Sequence, residues 1–156
     1  MTSYEELCEN LHQQGIEVYE VSMPPRIKGL YCDNVVWLNS TIETSQEKRC
    51  VLEEEYSHSI INYGDILDQT DTNNRKQERL ARRMAYEKLI PLQSLVEASK
   101  EGLKNRYELA EYLDVTEEFL AEAIQHYKEK YGLYTVWTSY VVCFAPLGVV
   151  ELFEEE

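Results

Sequence analysis

The stretch VLEEEYSHSI, residues 51–60, decides how this chain is read. It lies in a run from about Ser45 to Tyr63 with helical patterning, in which Cys50, Val51, Tyr56 and Ile60 are candidate inward positions. On a helix, residues i and i+4 project from one face, so Glu54 and His58 can reach the same metal ion, with Glu55 beside them. The stretch is one residue away from the H-E-x-x-H pattern, in which two histidines hold zinc and the glutamate acts on the metal's water. Here Glu54 stands at the first ligand position. A carboxylate oxygen ligates zinc about as closely as an imidazole nitrogen does. The exchange makes the site more anionic and moves its preference toward harder ions such as Mn²⁺ or Mg²⁺. Taken alone, EEEYSH is also the pattern of a solvated acidic helix face, so a metal reading needs support from elsewhere in the chain.

Working outward, residues 3–14 pattern as a helix with Tyr4, Leu7, Cys8 and Leu11 on one face, capped by Thr2 or Ser3 and ended by Gly15. IEVYEVSM alternates as a strand and is broken by Pro24 and Pro25. IKGLYCDNVVWLN reads as two strands around a turn at Asp33–Asn34, which predicts a small antiparallel sheet. After the decisive helix comes a polar loop, GDILDQTDTNN, and then a long helix, RKQERLARRMAYEKLI. Leu80, Ala81, Met84, Ala85 and Leu89 recur along that helix at helical spacing. Further helices are predicted from about Leu92 to Lys100, Arg106 to Leu113 and Glu117 to Tyr131. The segment LYTVWTSYVVCFAPLGVVELF is β-rich, and the final Glu154–Glu156 is expected to fray.

The support for the metal reading sits in the long helix. ERLARRMAYEKLIP, residues 78–91, resembles the second helix of the ImmA/IrrE family of metallopeptidases, whose pattern is roughly E-x-x-A-N-x-F-A-x-x-L-L-x-P. Glu78, Ala81, Met84, Ala85 and Pro91 fit it, with Leu89 and Ile90 near the aliphatic pair, and CVLEEEYSH resembles the family's first-helix motif. The order of elements agrees, over residues 1 to about 92 and more loosely beyond. The chain is similar in particular to the small proteins encoded beside the repressor in temperate phages of Gram-positive bacteria. The resemblance implies a zincin-like α+β domain over residues 1–92, with a helical extension and β-rich tail over 93–156 packed on it. It implies a zinc ion, or Mn²⁺ in its place, held by Glu54, His58 and Glu78, with Glu55 as the base that activates a water against a peptide carbonyl. It further implies a protein substrate or partner, the repressor that maintains lysogeny, in the cytoplasm of a bacterial host. The departures are specific. Glu54 replaces the first histidine, Tyr56-Ser57 the usual Leu-Gly, Arg82 an asparagine and Met84 a phenylalanine. A relative that has lost its metal and binds a repressor without cutting it is therefore the alternative, and a host-directed or antitoxin-type binding protein is a third.

Composition narrows the field further. The 156 residues, 44% apolar, suffice for one domain with a core plus an appendage. Twenty-nine acids against fifteen bases leave a net charge of −14, which argues against nucleic-acid binding and against docking on anionic membrane. NRYELAEYLDVTEEFLAEAIQHY resembles a helix-turn-helix, with Thr116 as a cap. Its second helix opens on acids that phosphate would repel, so a packing or protein-binding role is expected. The opening MTSYEELCENLHQQ has neither a basic start nor an apolar run, so no secretory leader is expected. No stretch reaches the roughly 20 apolar residues of a membrane span. The four cysteines lack a CxxC spacing and are expected to be reduced. His12 and His126, each alone in a helical context, are expected to be surface or partly packed residues. The basic island RKQERLARR is expected to be a solvated face, or else to contact an acidic partner or pair with the chain's own carboxylates.

Overall fold

A computed structural model describes residues 1–62, 71–103 and 105–152, the side chains of 62 and 71–74 excepted. The elements follow as α1 (Ser3–Gln13), β1 (Glu17–Val21), β2 (Gly29–Cys32), β3 (Val35–Asn39), α2 (Ser45–Asn62), α3 (Asp71–Leu89), α4 (Leu92–Lys100), α5 (Arg106–Leu113), α6 (Glu117–Tyr131), β4 (Tyr134–Trp137), β5 (Tyr140–Phe144) and β6 (Leu147–Glu151). They form two compact units, Met1–Ala85 and Tyr86–Glu156, so α3 runs from one into the other. Among the described residues no helix is long and apolar enough to cross a membrane.

Local chemistry sets the ends of the elements in the first unit. Thr2 caps α1 reciprocally with Glu5: the Thr2 hydroxyl accepts from the Glu5 N–H at 3.1 Å, and the Glu5 carboxylate accepts from the Thr2 N–H at 3.0 Å. Gly15, at φ +88°, turns the chain out of α1, and the Ile16 N–H returns to the Leu11 carbonyl at 2.9 Å. Asp33 and Asn34 both take positive φ, as a two-residue hairpin between β2 and β3 requires. Thr44 opens α2 by accepting from the Glu47 N–H at 3.1 Å.

The first sheet corrects one expectation. Its order is β1-β3-β2, with β2 antiparallel to β3 but β1 parallel to it, so the sheet is mixed and not purely antiparallel. The reason lies in the strands' chemistry. β3 carries the fully buried Val36 and Leu38 and takes the centre, while β1 ends in exposed Tyr19, Glu20 and Val21, which suits an edge. The segment between β1 and β2 is drawn together by Asn39, which is fully buried. Its side-chain amide donates toward the carbonyls of Met23, Pro24 and Ile27 at 2.9–3.2 Å. Its carbonyl oxygen accepts from the Thr41 N–H and hydroxyl at 3.1 and 2.8 Å. The core of the unit joins Tyr4, Leu11, Ile16, Val36, Leu38 and Leu52, so α1, the sheet and α2 bury one another.

Two helical faces also differ from expectation. Cys50 is buried and Val51 and Tyr56 pack on the core, but Ile60 is exposed and Leu52 is the α2 residue at the centre. On α3, Ala81, Ala85 and Leu89 are buried while Leu80 is exposed. α3 already begins at Asp71, and the remainder of the expected polar loop, 64–70, lies outside the described residues, as does Glu154–Glu156.

In the second unit α4, α5 and α6 start and stop where helix periodicity and caps place them. Asn105 caps α5, Thr116 caps α6, and Asp114 in the left-handed region ends α5. β4, β5 and β6 form their own antiparallel sheet. Val142 and Phe144 are its buried residues, and the Phe144 ring stacks on Tyr127 with centroids 5.6 Å apart. The Tyr127 hydroxyl donates to the Ile90 carbonyl at 2.7 Å. His126 is buried, not superficial, lying 3.8 Å from the Glu87 carboxylate and beside the Tyr86 and Tyr127 rings.

Candidate functional site

The three consecutive acids of α2 do not form a solvated face. Glu53 is buried at 2% exposure, and Glu54 and Glu55 are half-buried. Helix α2 packs on both β2 and β3, and the Glu55 side of the helix meets β2 at Gly29. A Cβ at Gly29 would lie 3.0 Å from the Glu55 Cγ and 2.9 Å from a Val51 methyl, so only glycine lets the strand run this close. The strand's main chain thus walls in Glu55. Sequence reasoning missed Gly29 as a site residue. The signal available was a lone glycine inside a strand, which marks close backbone approach.

Burial pushes the Glu55 carboxyl up to about 7, with the nearby Glu78 carboxylate adding to the effect. Burial also pulls His58 below its ordinary value; Glu78 opposes that shift and Arg82 reinforces it. Glu55 and His58 on α2 therefore each feel the Glu78 carboxylate on α3. Near neutral pH the group comprises a carboxyl shared between its two protonation states and a neutral imidazole. A carboxyl so poised can take or give a proton in the range where catalytic bases work.

The metal reading requires more than proximity. Glu54 precedes His58 by one turn of α2, as its spacing requires, but Glu78 is engaged elsewhere. Its carboxylate accepts from the Arg82 guanidinium at 3.0 Å across one turn of α3, both side chains about half exposed. Among the described residues no group of three His, Cys, Asp or Glu side chains is placed to hold a metal ion. In this arrangement the Glu78 carboxylate is held by the chain's own Arg82, at the position where the family pattern carries an uncharged asparagine.

A family model described as the IrrE N-terminal-like domain, peptidase family M78, matches residues 11–125. No curated protein and no solved structure gives a match. The matched span begins within α1, includes both α2 and α3 with Glu54, Glu55, His58 and Glu78, and ends within α6. Covering most of the chain and all four of these positions, it settles the affiliation: the chain belongs to the ImmA/IrrE family, with its IrrE N-terminal-like, peptidase-type domain.

Proposed function

We propose that this chain is a peptidase-like protein that binds and regulates a phage repressor without cleaving it, in the cytoplasm of a bacterial host. The observation that carries the reading is the Arg82–Glu78 pair. A guanidinium holds the carboxylate that the family pattern offers to a metal, while Glu54 replaces a histidine at another ligand position. A peptidase-type domain with Glu78 so engaged lacks a full ligand set with which to polarise a carbonyl. The repressor as partner follows from the resemblance to lysogeny-module proteins, and the acidic charge of the chain is consistent with a protein partner in place of DNA.

One observation favours the second reading, a metal-dependent peptidase that cleaves the repressor. The Glu55 carboxyl lies near 7, where a general base is useful, and a carboxylate at position 54 remains a competent zinc or manganese ligand.

The test is to incubate a candidate lysogeny repressor with wild type and with Glu55→Gln, in zinc, in manganese and in chelator. Complex formation should be the same for both proteins, with the repressor intact in every mixture. Repressor fragments that appear with wild type and vanish with Glu55→Gln would establish the hydrolase instead. Absence of any complex would overturn both readings and leave a host-directed or antitoxin-type binder.

A further inference from the structure

Within the second compact unit lies a cleft of about 490 Å³, within the size range of small-ligand sites. α4, α5 and α6 supply its walls, and the segment from Phe144 to Val149, spanning the β5–β6 turn, closes one side. The lining is mainly apolar, with Leu95, Leu109, Leu120, Ile124 and Phe144 among it, and Ala98, Ala121 and Gly148 keep it open. Its charge is the unexpected feature. In a chain with twenty-nine acids and fifteen bases, no Asp or Glu among the described residues lines this cleft, whereas Arg106 and Lys128 both do.

The other polar groups of the lining are partly committed. The Asn105 side chain accepts from the Glu108 N–H at 2.8 Å, and Gln125 donates to Glu129 at 3.2 Å. Arg106 and Lys128 differ. Among the described residues neither side chain enters an ion pair or a hydrogen bond. By contrast Lys130, two residues along α6, is paired with Glu87. Two cations without a protein counter-ion, at an apolar cleft in an acidic protein, are matched by an anion with an apolar body.

We propose that this cleft binds a small amphiphilic carboxylate, its apolar part among the leucines and Phe144 and its carboxylate held by Arg106 and Lys128. The guanidinium fork matches a carboxylate in bidentate geometry, and lysine adds a second charge-assisted hydrogen bond. A monoanion is favoured over a doubly charged phosphate ester, because the net charge of −14 around the two cations disfavours each further negative charge.

The experiment is a calorimetric titration of the full chain with decanoate and 2-naphthoate, below any micellar concentration. Decylamine and decyl phosphate serve as head-group controls. Expected is saturable one-to-one binding of at least one carboxylate, with decylamine weaker by tenfold or more. The pair Arg106→Gln, Lys128→Gln should weaken carboxylate binding by about tenfold or more, as loss of hydrogen bonds to a charged group does. Ala121→Trp should abolish it by filling the cleft. Each variant's thermal transition is compared with wild type, and if Ala121→Trp does not fold, the double charge variant decides. No saturable carboxylate binding, equal binding of decylamine, or full affinity in the charge variant would overturn the site. Tighter binding of decyl phosphate than of decanoate would overturn the choice of a monoanion.

Discussion

Replacing Glu55 by glutamine should stabilise the protein, and only above about pH 5. The Glu55 carboxyl rises from an ordinary 4.5 to about 7, first because it is buried where α2 meets β2 and second because of the Glu78 charge. In the unfolded chain it returns to its ordinary value, so between those limits the folded state holds the extra proton. Stability therefore falls as pH rises through this window, and the full cost is reached above the folded value. At about 1.4 kcal/mol per pH unit the charged form costs the fold roughly 3 kcal/mol by pH 8. Glutamine has nearly the same shape and no charge to bury. The difference in unfolding free energy between Glu55→Gln and wild type should be below about 1 kcal/mol at pH 5 and roughly 2–3 kcal/mol in favour of glutamine at pH 8. Subtracting one protein from the other cancels the titration of the remaining carboxylates. Urea unfolding at pH 5, 6, 7 and 8 in chelator measures this. A Trp137→Phe background leaves Trp37 on β3 as the reporter of the first unit. A variant no more stable than wild type at pH 8, or a difference independent of pH, would refute a buried Glu55.

Three other changes test the architecture. Gly29→Ala should lower stability by about 1–3 kcal/mol, as overpacking does. The effect should shrink when Val51, whose methyl lies 2.9 Å from the new Cβ, is also made alanine; urea curves of the four proteins in the cycle check this. Asn39→Ala removes a buried side chain that ties Met23, Pro24, Ile27 and Thr41 together and should cost roughly 2–3 kcal/mol in chemical denaturation. The double change Glu54→His, Arg82→Asn restores the family's ligand and frees Glu78. It should bind about one zinc per chain by elemental analysis, where wild type binds little, and gain thermal stability with added zinc. Equal metal content in the two proteins would show that Arg82 does not divert Glu78.

Much of this protein is written locally. Thr2 with Glu5, Gly15, the Asp33–Asn34 pair and Thr116 each act within four residues, so their caps and turns were readable in order along the chain. The i, i+4 relation of Glu54 to His58 is likewise a property of helix geometry. Sequence also suffices to match α2 and α3 to the family. Local periodicity failed where long-range packing decides which face is covered. Ile60 and Leu80 match the apolar repeat of their helices yet lie exposed, while Leu52 and His126 are buried.

The site divides in the same way. Sequence named the candidates, Glu54, Glu55 and His58 by their spacing along one helix and Glu78 by resemblance to the family pattern. Tertiary structure decided their state. The parallel docking of β1 beside β3, the approach of Gly29 to Glu55 and the meeting of Arg106 with Lys128 at one cleft all join residues far apart in the chain. A carboxyl's proton affinity depends on how much water and charge surround it, and an exposed cation's use depends on whether an acid lies within reach. Both are set by which distant segments meet in space, and no local pattern encodes that.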